Sequence, residues 1–160
     1  MKKIDVSTKA VQFESVAELS AQEQDLFSKA VEAQQNAYAP YSKFHVGASV
    51  LLEDGTIVTG NNQENAAYPS GMCAERVAIW KVGSSYPDKK VLAIAIVAGS
   101  ELKSVDRPVG PCGACRQTIL EYEINQKENI ELLFKGDKGP IIKVKSISDL
   151  LPFNFDSSYL

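Results

Sequence analysis

The sequence contains few of the residues that would indicate a secreted, disulfide-stabilised protein. Only three cysteines and a single histidine occur among its 160 residues. Three thiols cannot all pair within one chain, so a framework of internal disulfides is excluded as the reason for their presence. These thiols need another explanation.

Long apolar runs are also lacking. No run approaches the roughly 18 residues of a membrane span. The segment Met1–Asp5 carries two lysines but lacks the apolar stretch of a secretory signal. We therefore expect a cytoplasmic protein that has no membrane partner.

An excess of positive charge is missing as well. Lysine and arginine number 17 against 20 acidic residues, which gives a formal net charge of −3. Nucleic-acid-binding domains usually present a basic face, whereas the basic residues here are interspersed with acids. The charge balance therefore disfavours a nucleic-acid partner. Repeats and internal linkers are absent too, and the length predicts a single domain over residues 1–160.

The sequence does show alternating helical and strand patterns. Ser20–Glu23 is a capping box at the start of the first helical pattern, and Asp54-Gly55 separates two apolar runs, as in a β-hairpin. Residues 1–20 are predicted to form an extended arm or edge strand of unknown role. Helices are predicted from Ser20 to Pro40, from Cys73 to Val82 and from Cys112 to Gln126. Strands are predicted over 47–52, 56–60, 91–98, 130–134 and 141–145, followed by a short final turn over 148–151.

This order of elements predicts an α/β fold. Helices that alternate with strands cover both faces of one sheet, so we expect a three-layer α/β/α sandwich around a single mixed five-stranded sheet. The connection Gly136–Gly139 is too short for a helical crossover. The last two strands are therefore expected to be antiparallel.

The three cysteines fall at the starts of two predicted helices. Cys73 opens one, and Cys112 and Cys115, three residues apart, share one face of the other. Helix N-termini lower thiol pKa values and so favour the thiolates that bind metals. Three sulfur ligands would leave one open position on a tetrahedral zinc ion, which is typical of a catalytic site. We therefore expect one Zn²⁺ per chain.

Glu75 follows Cys73 by two residues and completes a chemical pattern. Water in the open position would have its pKa lowered from ~16 to about 7, which gives hydroxide near neutral pH. Deamination of an aromatic ring also requires a proton for a ring nitrogen and another for the leaving amine. One carboxylate beside the metal can carry both protons. This combination matches the general pattern of zinc deaminases.

Each of these features has a simpler explanation when taken alone. A Cys-x-x-Cys pair is often redox-active, or it is half of a structural zinc site. A structural site could recruit His45, the only histidine, as a fourth ligand. That arrangement would give Glu75 no role. The non-enzyme alternatives are therefore a structural zinc domain and a redox protein.

From about Tyr41 to Phe155 the sequence closely resembles the small homotetrameric cytidine deaminases. The motifs that carry the resemblance are Tyr41-Ser-Lys-Phe44-His-Val-Gly47-Ala48, Gly60-Asn-Asn62-Gln-Glu64-Asn65-Ala66-Ala67-Tyr68, Cys73-Ala74-Glu75-Arg76 and Pro111-Cys112-Gly113-Ala114-Cys115-Arg116-Gln117. The resemblance implies a cytidine-deaminase-like fold and hydrolytic deamination of free cytidine and deoxycytidine through a zinc-bound hydroxide. The products would be uridine, deoxyuridine and ammonia, in pyrimidine salvage. It also implies a homotetramer with shared active sites.

The resemblance further implies roles for single residues, with Glu75 as the proton carrier. Phe44 would pack against the pyrimidine ring, and Asn62 and Glu64 would hydrogen-bond the ribose hydroxyls. The loop that carries these two polar residues could instead be an Asx-type turn. The backbone N–H of Ala74 would meet the pyrimidine O2. Arg76 would donate hydrogen bonds to a thiolate and offset the negative charge of the cluster.

Three residues would act across a subunit boundary. The resemblance places Phe155 at a neighbouring subunit's substrate, with Ala66 and Tyr68 also near it. Simple packing of the tail is the alternative for Phe155.

His45 stands where the family usually has proline, and Asp156 stands where glycine is common. These two departures concern substrate preference and the conformation of the tail.

The alternative substrates are another small aminopyrimidine compound or a nucleic-acid base, both of which are used by deaminases of this zinc class. The acidic composition offers no track for phosphates, and Asn62 and Glu64 match ribose-binding positions. Nucleic-acid deaminases of the superfamily also tend to place a helix between the last two strands. The blasticidin deaminases share the zinc motifs, but the segments around Phe44 and Asn62 resemble those of cytidine deaminases.

Overall fold

The computed structural model describes all 160 residues, which form three α-helices and one six-stranded sheet. None of the helices is long and apolar enough to cross a membrane. The helices are α1 (Ala21–Gln34), α2 (Ala74–Ser85) and α3 (Gly113–Gln126), and the strands are β1 (Ala10–Phe13), β2 (Phe44–Leu52), β3 (Ile57–Asn61), β4 (Val91–Ser100), β5 (Glu131–Gly136) and β6 (Ile141–Val144).

The sheet is mixed, with the strand order β1-β6-β5-β4-β2-β3. Strands β4 and β5 are parallel, and the other neighbours are antiparallel. The prediction of an α/β fold with an antiparallel final pair of strands is therefore confirmed. The predicted number of five strands is wrong, because Ala10–Phe13 pairs with Ile141–Val144 as a sixth strand. Of this strand only Phe13 is half-buried, so the strand adds little to the core.

Helices cover both faces of the sheet. Leu26, Phe27 and Ala30 of α1 pack on one face, and α2 and α3 pack on the other. Strand β4 is almost wholly apolar because both of its faces are covered. On β2, Gly47 lets α1 approach closely, since a Cβ atom there would lie 2.0 Å from the Ala30 carbonyl oxygen.

The first helix begins where the sequence predicts and ends earlier. Ser20 caps α1, and the Glu23 carboxylate accepts a hydrogen bond from the Ser20 N–H at 2.8 Å. The helix ends at Gln34, before Pro40. Tyr38 instead exchanges backbone hydrogen bonds with the loop after β3, at 3.0 Å and 2.8 Å. This tertiary pairing competes with the helical pattern and ends the helix.

Glu123 on α3 is a buried carboxylate that the sequence gives no reason to single out. It accepts hydrogen bonds from the backbone N–H groups of Ile130 (2.8 Å) and Ile147 (3.1 Å). It also accepts from the hydroxyls of Ser146 (2.6 Å) and Ser148 (3.3 Å). One side chain thus joins α3 to the start of β5 and to the turn that follows β6.

We predict that Glu123→Ala lowers the free energy of unfolding by about 3 kcal/mol, because two buried N–H groups lose their acceptor and each costs about 1–3 kcal/mol. The measurement is denaturant unfolding of the zinc-loaded protein. Glu121→Ala, at an exposed position on the same helix, is the control and should change stability little. Equal losses in the two variants would contradict this role of Glu123.

Candidate metal centre and active site

The structure brings the three cysteines together at the beginnings of two helices. Cys73 is the N-cap of α2 and Cys112 the N-cap of α3, and Cys115 lies in the first turn of α3. All three sulfur atoms lie within 4.8 Å of one another. The Sγ–Sγ distance is 3.8 Å between Cys73 and Cys112 and 3.5 Å between Cys112 and Cys115. All three thiols are free.

These distances suit a tetrahedral zinc ion. Zinc–sulfur bonds of about 2.3 Å at tetrahedral angles separate two sulfur atoms by about 3.8 Å. The observed sulfur atoms therefore need only small shifts to bind one ion. Three thiolates leave the fourth position free, and Cys73 and Cys112 border the cavity described below. The metal site therefore opens onto that cavity.

The surroundings of the cluster favour negative charge on the sulfur of Cys73. The Cys115 thiol and the Arg76 guanidinium lower the pKa of Cys73 to about 5. The neighbouring Cys73, together with burial, raises the pKa of Cys115. Zinc binding would displace the remaining thiol protons.

Arg76, in the first turn of α2, brings a positive charge to the sulfur cluster. Its Nη2 lies 3.5 Å from Cys73 Sγ, which is the contact expected from the sequence. Its guanidinium also lies 5.8 Å from the centre of the Trp80 ring. The Arg76 Nε is buried without a hydrogen-bond partner.

Glu75 is the second residue of α2, and its side chain borders the same cavity as the sulfur atoms. The residue is only 5% exposed. Burial is the main cause that raises the pKa of the Glu75 carboxyl, and the neighbouring Cys73 adds to the effect. A raised pKa brings a carboxyl closer to neutral pH, where it can both accept and return a proton.

A cavity of about 800 Å³ lies between the start of β2, the loop after β3 and the beginnings of α2 and α3. Its size lies within the range of small-molecule sites. Ala66, Cys115 and Phe155 do not line it. The predicted site residues that do line it are Phe44, Asn62, Glu64, Tyr68, Cys73, Ala74, Glu75, Arg76 and Cys112.

The side chain of Asn62 is bound to the backbone of β2. Its Oδ1 accepts from the Val46 N–H at 2.8 Å, and its Nδ2 donates to the Phe44 carbonyl at 2.9 Å. The Asx-type turn of this loop is made by Asn65, whose Oδ1 accepts from the Ala67 N–H at 2.8 Å. Asn62 therefore fixes the cavity wall and is not the residue that forms the local turn.

Glu64 is fixed by the chain that leads into β2. Its Oε2 accepts from the backbone N–H groups of Tyr41 (2.9 Å) and Ser42 (3.3 Å). Hydrogen bonds from Ser42 and Tyr41 lower the pKa of the Glu64 carboxyl. Sequence reasoning missed these two donors, because a contact between residues more than 20 positions apart leaves no local pattern.

Two further predicted residues lie elsewhere. Phe155 is 57% exposed, and its ring stacks on Tyr159 with centroids 5.6 Å apart. Ala66 is exposed.

The ring of His45 lies 2.8 Å from a Glu101 carboxylate oxygen, and His45 is not part of the sulfur cluster. It is therefore not a fourth metal ligand in this structure.

Arg116 supports the metal centre in a way that the sequence motif alone did not reveal. Its Nε donates to the Pro111 carbonyl at 2.8 Å, and its Nη1 donates to the Leu150 carbonyl at 2.7 Å. These bonds hold the residue before Cys112 against the C-terminal segment. The sequence did offer one signal for this role, because Arg116 directly follows the predicted metal ligand Cys115.

The family model described as the cytidine and deoxycytidylate deaminase zinc-binding region matches residues 20–127. The chain belongs to the zinc-dependent cytidine deaminase family. A cytidine deaminase from Halalkalibacterium halodurans is 40% identical over 132 residues, which are 82% of this chain and 92% of the relative. One from Sporosarcina psychrophila is 42% identical over 84% of this chain and 92% of its own length.

Solved structures agree with the family assignment. The crystal structure of cytidine deaminase from Burkholderia pseudomallei matches with a TM-score of 0.69 at 36% identity, and the match covers 82% of this chain and 97% of that one. A blasticidin-S deaminase from Bacillus cereus is similar at 28% identity over 86% of this chain and 94% of its own length. The identity to the two cytidine deaminases is higher, as the motifs predict.

We predict that elemental analysis of the purified protein finds about one zinc per chain. Cys115→Ser should lower that occupancy and also lower stability, because the metal joins the starts of two helices. Ala114→Ser is the matched control: it adds a hydroxyl to an exposed residue of the same turn and should keep the metal. Full zinc occupancy in a variant with serine at all three cysteines would contradict the site.

Proposed function

We propose that this chain hydrolytically deaminates free cytidine and deoxycytidine to uridine and deoxyuridine, with release of ammonia, in pyrimidine salvage. The observation that carries the proposal is that Glu75 and two cysteines of the cluster, Cys73 and Cys112, border one cavity of about 800 Å³. Membership of the zinc-dependent cytidine deaminase family supports it.

Zinc bound by Cys73, Cys112 and Cys115 would supply an activated water at neutral pH. Glu75 would accept a proton from the attacking water and donate it to ring N3, while a C–O bond forms at C4. It then carries the remaining hydroxyl proton to the C4 amine. The C–N bond breaks, ammonia leaves, and the C4 carbonyl of uridine is formed. Burial of Glu75 keeps its pKa raised and so suits both transfers.

The proposed substrate contacts follow from groups that retain bonding capacity. Ala74 lies in the first turn of α2, where backbone N–H groups have no partner within the helix. We infer that the Ala74 N–H donates a hydrogen bond to O2 of the pyrimidine. Phe44 packs on the ring. Asn62 keeps a second N–H on Nδ2, and the Glu64 carboxylate keeps further lone pairs, in addition to the hydrogen bonds that hold them in place. These groups can bond the ribose hydroxyls.

The cavity favours a nucleoside over a nucleic acid. Arg76 is the only cationic side chain among the lining residues, and it is bound to Cys73. Phosphate groups would therefore find no free cation there, while Glu64 adds a negative charge beside Tyr41 and Ser42 in the cavity wall. A nucleic-acid base is accordingly not the favoured substrate.

We also propose that the 160-residue chain acts as one domain, in the cytoplasm, and assembles into a homotetramer whose active sites are shared. The three free thiols support a reducing compartment. The support for sharing is that Phe155 is 57% exposed and Tyr68 78% exposed, although both are aromatic. Ala66 is exposed beside Tyr68. A second subunit would cover these side chains.

We predict that Glu75→Gln keeps zinc and fold but loses cytidine turnover by at least 10²–10⁴-fold, because an amide cannot accept and return the proton. The measurement is uridine formation from cytidine, with zinc content determined on the same sample. Glu64→Gln is the comparison variant: it should weaken substrate binding and leave a measurable kcat. Near-normal turnover in metal-replete Glu75→Gln protein would rule out the proposed proton carrier.

We predict that Phe155→Ala lowers kcat/KM for cytidine by about one to two powers of ten, since stacking of a base on an aromatic ring contributes ~1–3 kcal/mol. Phe153→Ala is the control, because Phe153 is 85% exposed and lies two residues away. Mixing Phe155→Ala subunits with Glu75→Gln subunits should restore activity above either parent. Absence of recovery after verified subunit exchange would exclude action across the subunit boundary.

A further inference from the structure

The start of β2 forms one wall of the cavity and is held from its opposite face. Phe44 and Val46 line the cavity, while His45, between them, points to the other face of the sheet because side chains alternate along a strand. There the His45 Nε2–H donates to a Glu101 carboxylate oxygen at 2.8 Å. Neither His45 nor Glu101 lines the cavity.

Glu101 holds this segment at a second point. Its backbone N–H donates to the Lys43 carbonyl at 3.0 Å. Lys43 has φ of 54°, in the left-handed region that residues other than glycine rarely adopt. Such a conformation persists where the surroundings hold it. Glu101 therefore contacts the residue before Phe44 and the residue after it.

Other bonds couple this segment to a second substrate-facing residue. Asn62 bonds both the Phe44 carbonyl (2.9 Å) and the Val46 N–H (2.8 Å). Gln34 of α1 donates to the His45 carbonyl at 2.9 Å. A displacement of the backbone at Phe44 would therefore move Asn62 as well. The groups that react, by contrast, belong to α2 and α3.

We propose that His45 and Glu101 form a positioning clamp for nucleoside binding. The pair fixes the backbone of residues 43–46 so that Phe44 and Asn62 meet the nucleoside in a set arrangement. The proposal rests on the proposed function, since it takes Phe44 and Asn62 as substrate contacts. The clamp acts on the affinity for the nucleoside and leaves the chemical step unchanged, so both residues are positioning residues.

The clamp predicts a change in KM without a change in kcat. His45→Ala and Glu101→Ala should each raise KM for cytidine about two- to fivefold, the size expected for a partly exposed pair, with kcat and zinc content unchanged. The double variant should be no worse than either single variant, because both remove the same interaction. Glu101→Gln keeps an acceptor for the imidazole and should restore most of the lost affinity.

Glu128 provides a matched control at the other end of β4. It pairs with Lys90, just before β4 begins, whereas Glu101 follows the end of the strand. The two carboxylate side chains are similarly exposed, at 54% for Glu128 and 58% for Glu101. Glu128→Ala should therefore leave KM unchanged. An equal rise in KM for both variants would show a general effect of lost ion pairs and would overturn the clamp.

Amide hydrogen exchange tests the clamp without relying on turnover. Glu101→Ala should speed exchange at residues 43–46 relative to the wild type and to Glu128→Ala. Unchanged exchange there would overturn the proposal whatever the reaction is. Unchanged KM in Glu101→Ala, with a wild type that deaminates cytidine, would also overturn it. A wild type that does not deaminate cytidine would instead refute the proposed function, and the exchange result would still decide the clamp.

Discussion

The convergence of three sulfur atoms at the N-termini of α2 and α3 is the constraint on which the rest of the structure depends. Both helices must begin at one point on the same face of the sheet. Gly60 on β3 permits the close approach of α2, because a Cβ atom there would lie 2.5 Å from the Ala78 backbone nitrogen. The two helix dipoles and Arg76 offset the charge of the thiolates, so the cluster can bind a cation and still favour an anionic ligand.

The active-site cavity is completed by the beginning of α2, by strand β2 and by the loop after β3. The beginning of α2 places Glu75 beside the cavity and leaves the Ala74 N–H available to a ligand. The opposite wall comes from β2 and the loop after β3, which Asn62 and Glu64 fasten to each other through backbone hydrogen bonds. The proposed reacting groups thus lie at the beginnings of helices, and the residues proposed to contact the nucleoside lie on a strand and a loop that are held by their own hydrogen bonds.

Features encoded by neighbouring residues could be predicted from the sequence, and features that depend on distant residues could not. The capping box at Ser20 and the apolar run of β4 are local patterns, and the cysteine spacing limits the metal chemistry. Strand β1 was foreseen only as a possible edge strand and was not counted in the sheet, because its partner lies more than 120 residues away and it buries little surface. Glu123 was missed because its hydrogen-bond donors follow it by 7 to 25 residues. Family resemblance pointed to Asn62 and Glu64, but their backbone partners emerge only from the fold.

The most direct test of the account is a zinc titration of the metal-depleted protein, with uridine and ammonia measured as cytidine is consumed. The account predicts no uridine without metal, equal amounts of uridine and ammonia on addition of zinc, and a plateau at one zinc per chain. Full activity in protein shown to contain no metal would contradict the account. So would the absence of uridine from folded protein with one zinc bound per chain.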